Sequence, residues 1–176
     1  GAADKALDEV MPTFAERVIS MSAHPPSEED GKISIEIAEK VIDVLSDKNR
    51  KVFCDKLVEN MRSQQPQNRQ ASIIIGGYLL KKVSSNFNEV VRALVRASLY
   101  LFDDPLDDIQ DKAIESLSGV SKEINMNDIP LLIKEVCDTL ESLCTVTKVR
   151  AFRKPESFEA LNLILEDSFK SNDQGA

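Results

Sequence analysis

The sequence predicts an all-α fold, a solenoid of antiparallel helical hairpins, on three observations. Apolar residues recur at spacings of three, four, seven and eight almost throughout the 176 residues, which is the period of one helix face. No stretch of comparable length alternates apolar and polar residues as a sheet would require. Segments 41 residues apart, counted from Asn68 to Ile109, share a pattern of small and apolar positions, within the roughly 40–47 residues of a stacked helix-pair repeat.

About eight helices follow, at roughly 5–22, 32–46, 48–64, 67–84, 87–103, 105–124, 128–145 and 156–170. The first three continue the general helical pattern. The fourth has a competitor: Ile73, Ile74 and Ile75 are β-branched and could form a strand. They lie, however, in "RQASIIIGGYLLKKV", where Ala71, Ile75, Tyr78 and Leu79 are spaced as on a helix. Gly76 and Gly77 inside it cost about 1 kcal/mol each relative to alanine, so they are expected to be points of close helix contact. Phe87, Val90, Val91, Leu94, Val95, Leu99 and Phe102 define the fifth helix, and Ile109, Ala113, Leu117, Val120 and Ile124 the sixth. Ile129, Leu132, Ile133, Val136, Cys137, Leu140 and Cys144 define the seventh. The eighth, in "FEALNLILEDSFKSNDQGA", reads as the first helix of a hairpin whose second does not follow. A repeat unit cannot bury its inner face alone, so residues 1–176 are expected to be a single array cut from a longer solenoid. Two longer connections interrupt the short turns, an acidic Pro-rich loop at 23–32 and a basic irregular loop at 146–155.

Composition bounds the function. Hydrophobic residues make up 42% of the chain, enough for a domain-sized core, and no run is long enough to span a membrane. "GAADKALDEV" carries charges from the start and leads into no apolar segment, so no signal peptide is read and a cytoplasmic setting is expected. With 22 Lys and Arg against 30 Asp and Glu, the net charge of -8 repels a phosphate backbone. Only 5% of residues are aromatic and there is no Trp, so direct nucleic-acid binding is not expected. Cys54, Cys137 and Cys144 are odd in number and sit among apolar positions beside a single histidine in the whole chain, which reads as buried thiols with neither zinc nor disulfide. No cofactor is implied.

The stretch "LFDDPLDDIQDKAIESLSGV" offers the one motif with chemical promise. Asp103, Asp104, Asp107 and Asp108 are spaced as in the Asp-Asp-x-x-Asp magnesium motif of all-helical prenyl synthases. That chemistry needs inward carboxylates on one unbroken helix, a second facing acidic cluster, and a chain able to enclose an isoprenoid. Pro105 breaks the helix, no second cluster with basic neighbours appears, and 176 residues is short. The alternative reading is punctuation: Asp104 as N-cap, Pro105 at the first helical position, and Asp107 and Asp108 in the first turn, where the helix dipole favours negative charge.

His24 lies in the Pro-rich loop without a partner nucleophile and reads as a solvated loop residue. Glu28, Glu29 and Asp30 read as acidic charge at the start of the second helix. The basic loop is the better candidate for binding. Lys148, Arg150, Arg153 and Lys154 bracket Phe152, a set suited to an acidic peptide, a phosphate or an RNA backbone, or else serving only to keep an exposed connection soluble. Lys81, Lys82, Arg92 and Arg96 add positive charge at outward positions whose common face the sequence does not establish.

"DPLDDIQDKAIESLSG" resembles the second helix of a HEAT repeat, through Asp104, Pro105, Ile109, Ala113, Leu117, Ser118 and Gly119. More narrowly, the span from "NRQASIIIGGYLL" to "LSGVSKEI" resembles the family of the translational activator of general amino-acid control. An Arg-Gln-Ala helix there precedes a Leu-Phe-x-Asp turn and a helix ending Leu-x-x-Val-Ser-Lys. The single helix "DIPLLIKEVCDTLESL" and the extended "VRAFRKPES" after it are also similar to that family, so the resemblance covers roughly residues 50–170. It implies a non-enzymatic segment of a long cytosolic HEAT solenoid. Partners implied are the ribosome and RWD-domain proteins, including the kinase that phosphorylates initiation factor 2 alpha. A HEAT adaptor of nuclear transport or microtubules would share the same helical pattern, and the magnesium enzyme remains the distant third reading.

Overall fold

The computed structural model describes residues 2–146 together with 159, 161–164 and 166. Eight α-helices account for nearly all of the continuous part, and no strand occurs among the described residues. They are α1 (Ala2–Ala23), α2 (Glu28–Val44), α3 (Asp47–Met61), α4 (Pro66–Val83), α5 (Glu89–Tyr100), α6 (Asp107–Leu117), α7 (Val120–Glu123) and α8 (Ile129–Val146). Two 3₁₀ turns, Leu101–Asp103 and Met126–Asp128, join α5 to α6 and lead into α8.

Local chemistry sets the starts. Ser27, Ser46 and Asn88 each turn extended backbone into a helix and accept an N–H from its first turn with their side chains, leaving fewer orphan donors. Pro66 opens α4 at a position where its missing N–H costs nothing.

The pairs α1–α2, α3–α4 and α5–α6 are antiparallel hairpins stacked in chain order. First helices α1, α3, α5 and α8 pack side by side in one layer, and second helices α2, α4 and α6 in the other. Asn68 and Ile109, the pair that set the 41-residue offset, are each the third residue of a second helix, so the repeat register holds in three dimensions. Between the layers runs one core, with Phe53, Leu57, Ile73, Ile75, Leu79, Leu80, Leu94 and Phe102 fully buried. Leu161 and Ile164, beyond α8, join it. This is the all-α repeat solenoid that the periodicity predicts.

Gly76 and Gly77 are contact points. A Cβ on Gly77 would lie 2.5 Å from Ser116 Oγ and 3.4 Å from its Cβ on α6, and one on Gly76 would lie 2.4 Å from the Met61 methyl of α3. The ~1 kcal/mol propensity cost per glycine is thus exchanged for closer interhelical packing on two sides of α4.

Four expectations need correction. The loop at 23–32 shrinks to residues 24–27, because Ser27 caps α2 and Glu28, Glu29 and Asp30 form its first turn. Ser27 Oγ accepts from the Asp30 N–H at 3.2 Å and donates to the Asp30 carboxylate at 2.9 Å, a side-chain N-cap that starts the helix ahead of Gly31. The helix expected over 105–124 is two, α6 and α7, parted at Ser118 and Gly119. Cys137 is exposed while Cys54 is buried; the side chain of Cys144 lies outside the described residues. The fourth correction concerns Asp104.

Candidate functional site

The aspartates that suggest chemistry resolve into two unlike groups. The helix begins at Asp107, its N-cap position is Leu106, and no side chain caps it. Asp104 is therefore not the N-cap, and Pro105 lies in the turn before the helix. Asp104 is 5% exposed, among the few buried charged residues. Its two oxygens meet the Arg69 guanidinium of α4 at 2.7 and 3.2 Å, a fork geometry that suits a planar carboxylate. One of them also accepts the Leu106 N–H at 3.0 Å, and the Asp104 carbonyl accepts from the buried Gln110 amide. Arg69 in turn donates to the Ser63 and Gln64 carbonyls at the end of the second hairpin's turn. The motif's central carboxylate is thus a clasp between consecutive hairpins. Asp107 and Asp108, in contrast, stand exposed in the first turn of α6, as the dipole argument predicts. A cation would have to displace Arg69 to use Asp104, and no group of three or more His, Cys, Asp or Glu suited to a metal occurs among the described residues.

His24 is exposed, as expected of a loop residue, and its Nε2 lies 2.7 Å from Asn68 Oδ1, which ties the first inter-helix loop to the start of α4. Lys148, Arg150, Phe152, Arg153 and Lys154 all lie outside the described residues. The other four cations divide between the layers: Lys81 and Lys82 belong to α4, a second helix, and Arg92 and Arg96 to α5, a first helix. They form no common basic face.

What the second-helix layer does present is a groove of about 410 Å³ over α4, walled by α2 and α6. Its floor is Ile73, Ile74, Gly77 and Tyr78. The tight approach of α6 at Ser116 requires Gly77, and the glycine also leaves the floor without a side chain there. Glu39, Glu115 and Glu123 stand on the rim with Lys81 and Lys112, and Lys112 lies 3.3 Å from Glu115.

On the groove floor Tyr78 is held by two neighbours, Asp43 and Lys82. Its hydroxyl donates to Asp43 at 2.8 Å, Lys82 reaches the same carboxylate at 3.1 Å, and the ammonium lies 5.4 Å from the ring centroid. The hydrogen bond from Tyr78, then that from Lys82, holds the Asp43 carboxyl below its ordinary value of 3.8. The same bond to Asp43 pushes the Tyr78 phenol upward, and Asp43 raises Lys82. Elsewhere, burial pushes the Cys54 thiol up to about 12, which makes it an inert core residue.

Sequence reasoning misses the Arg69–Asp104 pair and the Asp43–Tyr78–Lys82 cluster, since both join residues 35 or more apart. Half of the second is visible, because Tyr78 and Lys82 are four apart on one helix face.

Stacked hairpins, clasped turn to turn, form a repeat architecture. A family model described as stalled ribosome sensor GCN1-like, HEAT repeats, matches residues 1–163. The chain belongs to that family. The match extends the resemblance seen at residues 50–170 through the first hairpin. No curated protein sequence matches the chain. Among solved structures, the crystal structure of an engineered protein from the Northeast Structural Genomics Consortium is similar with a TM-score of 0.50 and 14% identity, over 93% of this chain and 68% of that one. At that identity the likeness concerns the fold alone. GCN1-like HEAT repeats are a scaffold architecture, and no described helix is long and apolar enough to cross a membrane.

Proposed function

We propose that this chain is a non-enzymatic segment of a cytoplasmic, ribosome-associated scaffold, working in the activation of the kinase that phosphorylates initiation factor 2 alpha when ribosomes stall or amino acids run short. The observation that carries the reading is the GCN1-like HEAT match over residues 1–163. RWD-domain proteins are the other partner class the reading implies. Function here is geometry, since stacked helices offer side chains along an extended surface on which a few anchors supply the binding energy.

The segment belongs to a longer array in this reading. Six large apolar residues, Leu7, Val10 and Met21 of α1 and Ile33, Ile37 and Val44 of α2, are exposed on the first hairpin, and Val44 is 82% exposed. On each helix they fall on the flank turned away from the second hairpin, where another repeat would stack. Lys148, Arg150, Phe152, Arg153 and Lys154 are the contacts assigned to acidic or phosphate-bearing partners.

Crosslinking mass spectrometry of the full-length protein on stalled ribosomes tests the reading. Crosslinks from the lysines of this segment to ribosomal proteins, or to the kinase, are the expected result. Their absence, with retention of transport receptors or tubulin in a pull-down, would transfer the segment to the adaptor class.

A further inference from the structure

We infer that the groove between α2, α4 and α6 receives a segment of a partner protein that brings a bulky apolar side chain together with a Lys or Arg. The inference rests on the scaffold reading for the existence of a partner, and names where and by what chemistry that partner is held.

Three features of the groove converge. The first is its volume of about 410 Å³ over an apolar floor, within the range of cavities that hold a ligand group. Ile74 lies half-buried on that floor, next to Gly77, against which Ser116 of α6 packs.

The second is preorganisation. Tyr78 is an aromatic residue of the kind that dominates binding hot spots. It is fixed before any partner arrives, by its bond to Asp43 and by Lys82 over the ring. Binding against a fixed ring incurs less of the usual ordering cost.

The third is charge. The rim carries three carboxylates, Glu39, Glu115 and Glu123, against the ammonium groups of Lys81 and Lys112. Lys112 is drawn to Glu115 at 3.3 Å. That leaves the groove with a net negative charge in a chain whose own net charge is -8. The excess is a single carboxylate, and a cationic side chain beside the apolar anchor complements the rim.

The test uses two fluorescein-labelled twelve-residue amphipathic peptides, one built of Leu, Ala and Lys and the other with Glu in place of every Lys, titrated with the whole 176-residue chain and read by anisotropy. The Lys peptide is expected to bind at least about tenfold more tightly than the Glu peptide. Glu39→Lys with Glu123→Lys should reduce binding of the Lys peptide by about tenfold, and Ile74→Ser should weaken it with the circular-dichroism spectrum unchanged. Glu9→Lys with Asp55→Lys alters the net charge equally but on the first-helix layer, away from the groove, and should leave binding intact. Equal binding of the two peptides, an equal loss from the control pair, or no effect of Ile74→Ser would each overturn the inference. Because the assay contains no ribosome or kinase, its failure leaves the scaffold reading standing, and failure of the ribosome crosslinks leaves a positive peptide result intact.

Discussion

Replacing Asp104 with alanine should destabilise the array by about 3 kcal/mol, far more than a lost helix cap would. Three interactions disappear together: the two-pronged contact with Arg69 at 2.7 and 3.2 Å, and the bond that satisfies the Leu106 N–H. Removing one partner from a buried ion pair costs about 3–5 kcal/mol, because the other charge remains desolvated. Two facts place this case at the lower end. The Arg69 side chain is 14% exposed and so keeps some water, and it retains the Ser63 and Gln64 carbonyls at 3.0 and 3.2 Å. Loss of an N-cap costs about 1 kcal/mol, and loss of an exposed first-turn charge such as Asp108 about 0.3–1 kcal/mol. Urea denaturation followed at 222 nm on Asp104→Ala and Asp108→Ala separates these values. A double-mutant cycle with Arg69→Met should return a coupling of roughly 2 kcal/mol or more if the pair acts as a unit. A loss of about 1 kcal/mol for Asp104→Ala, indistinguishable from Asp108→Ala, would refute the clasp and restore the capping role.

Other consequences are as direct. Gly77→Val should cost about 1–3 kcal/mol by overpacking against Ser116, whereas Gly76→Ala should cost less, because only the flexible Met61 methyl must move; chemical denaturation compares them. Iodoacetamide at pH 8 should label Cys137 in the native chain and spare Cys54 until denaturant is added, as read by peptide mass spectrometry, since the Cys54 thiol is buried with its pKa near 12. The Asp43 carboxyl should titrate below 3.8, and Tyr78→Phe should raise it, because the Tyr78 hydroxyl is the largest cause of its depression. The sign follows from linkage: contacts that prefer the carboxylate act fully above its unfolded pKa of about 3.9 and fade as pH falls through the lower folded value. Carbon-detected NMR titration of the carboxyl reads this, and an unmoved Asp43 in Tyr78→Phe would show that Lys82 alone holds it.

Much of the architecture is legible in the sequence because helical periodicity is a local property. Most apolar residues of α4, α5, α6 and α8 named from spacing line the core, with Cys137 the exposed exception, and the Asn68–Ile109 offset places equivalent positions of two consecutive second helices. Errors cluster where two local signals compete. Ser27 and Asp30 make a cap that Pro25, Pro26 and Gly31 obscure, and Gly31 instead allows a close approach to Pro25, 3.0 Å from where its Cβ would stand. Asp104 carries the composition of an N-cap, yet the chain takes two more residues before it turns helical. Nothing within ten residues of Asp104 marks Arg69 as its partner.

The sequence by itself determined the fold class, the repeat length and the membership of a helical-repeat family, since each depends on residue type at short, regular spacing. Only the tertiary structure decided that Asp104 faces inward as a clasp, that Lys81 and Lys82 lie on the opposite layer from Arg92 and Arg96, and that a groove with an acidic rim opens over Gly77 and Tyr78. The physical reason is common to all three. Which residues meet across stacked hairpins depends on how closely neighbouring helices approach and how far each is rotated about its axis. A shift of one position rotates a side chain by about 100°, enough to move it from core to solvent.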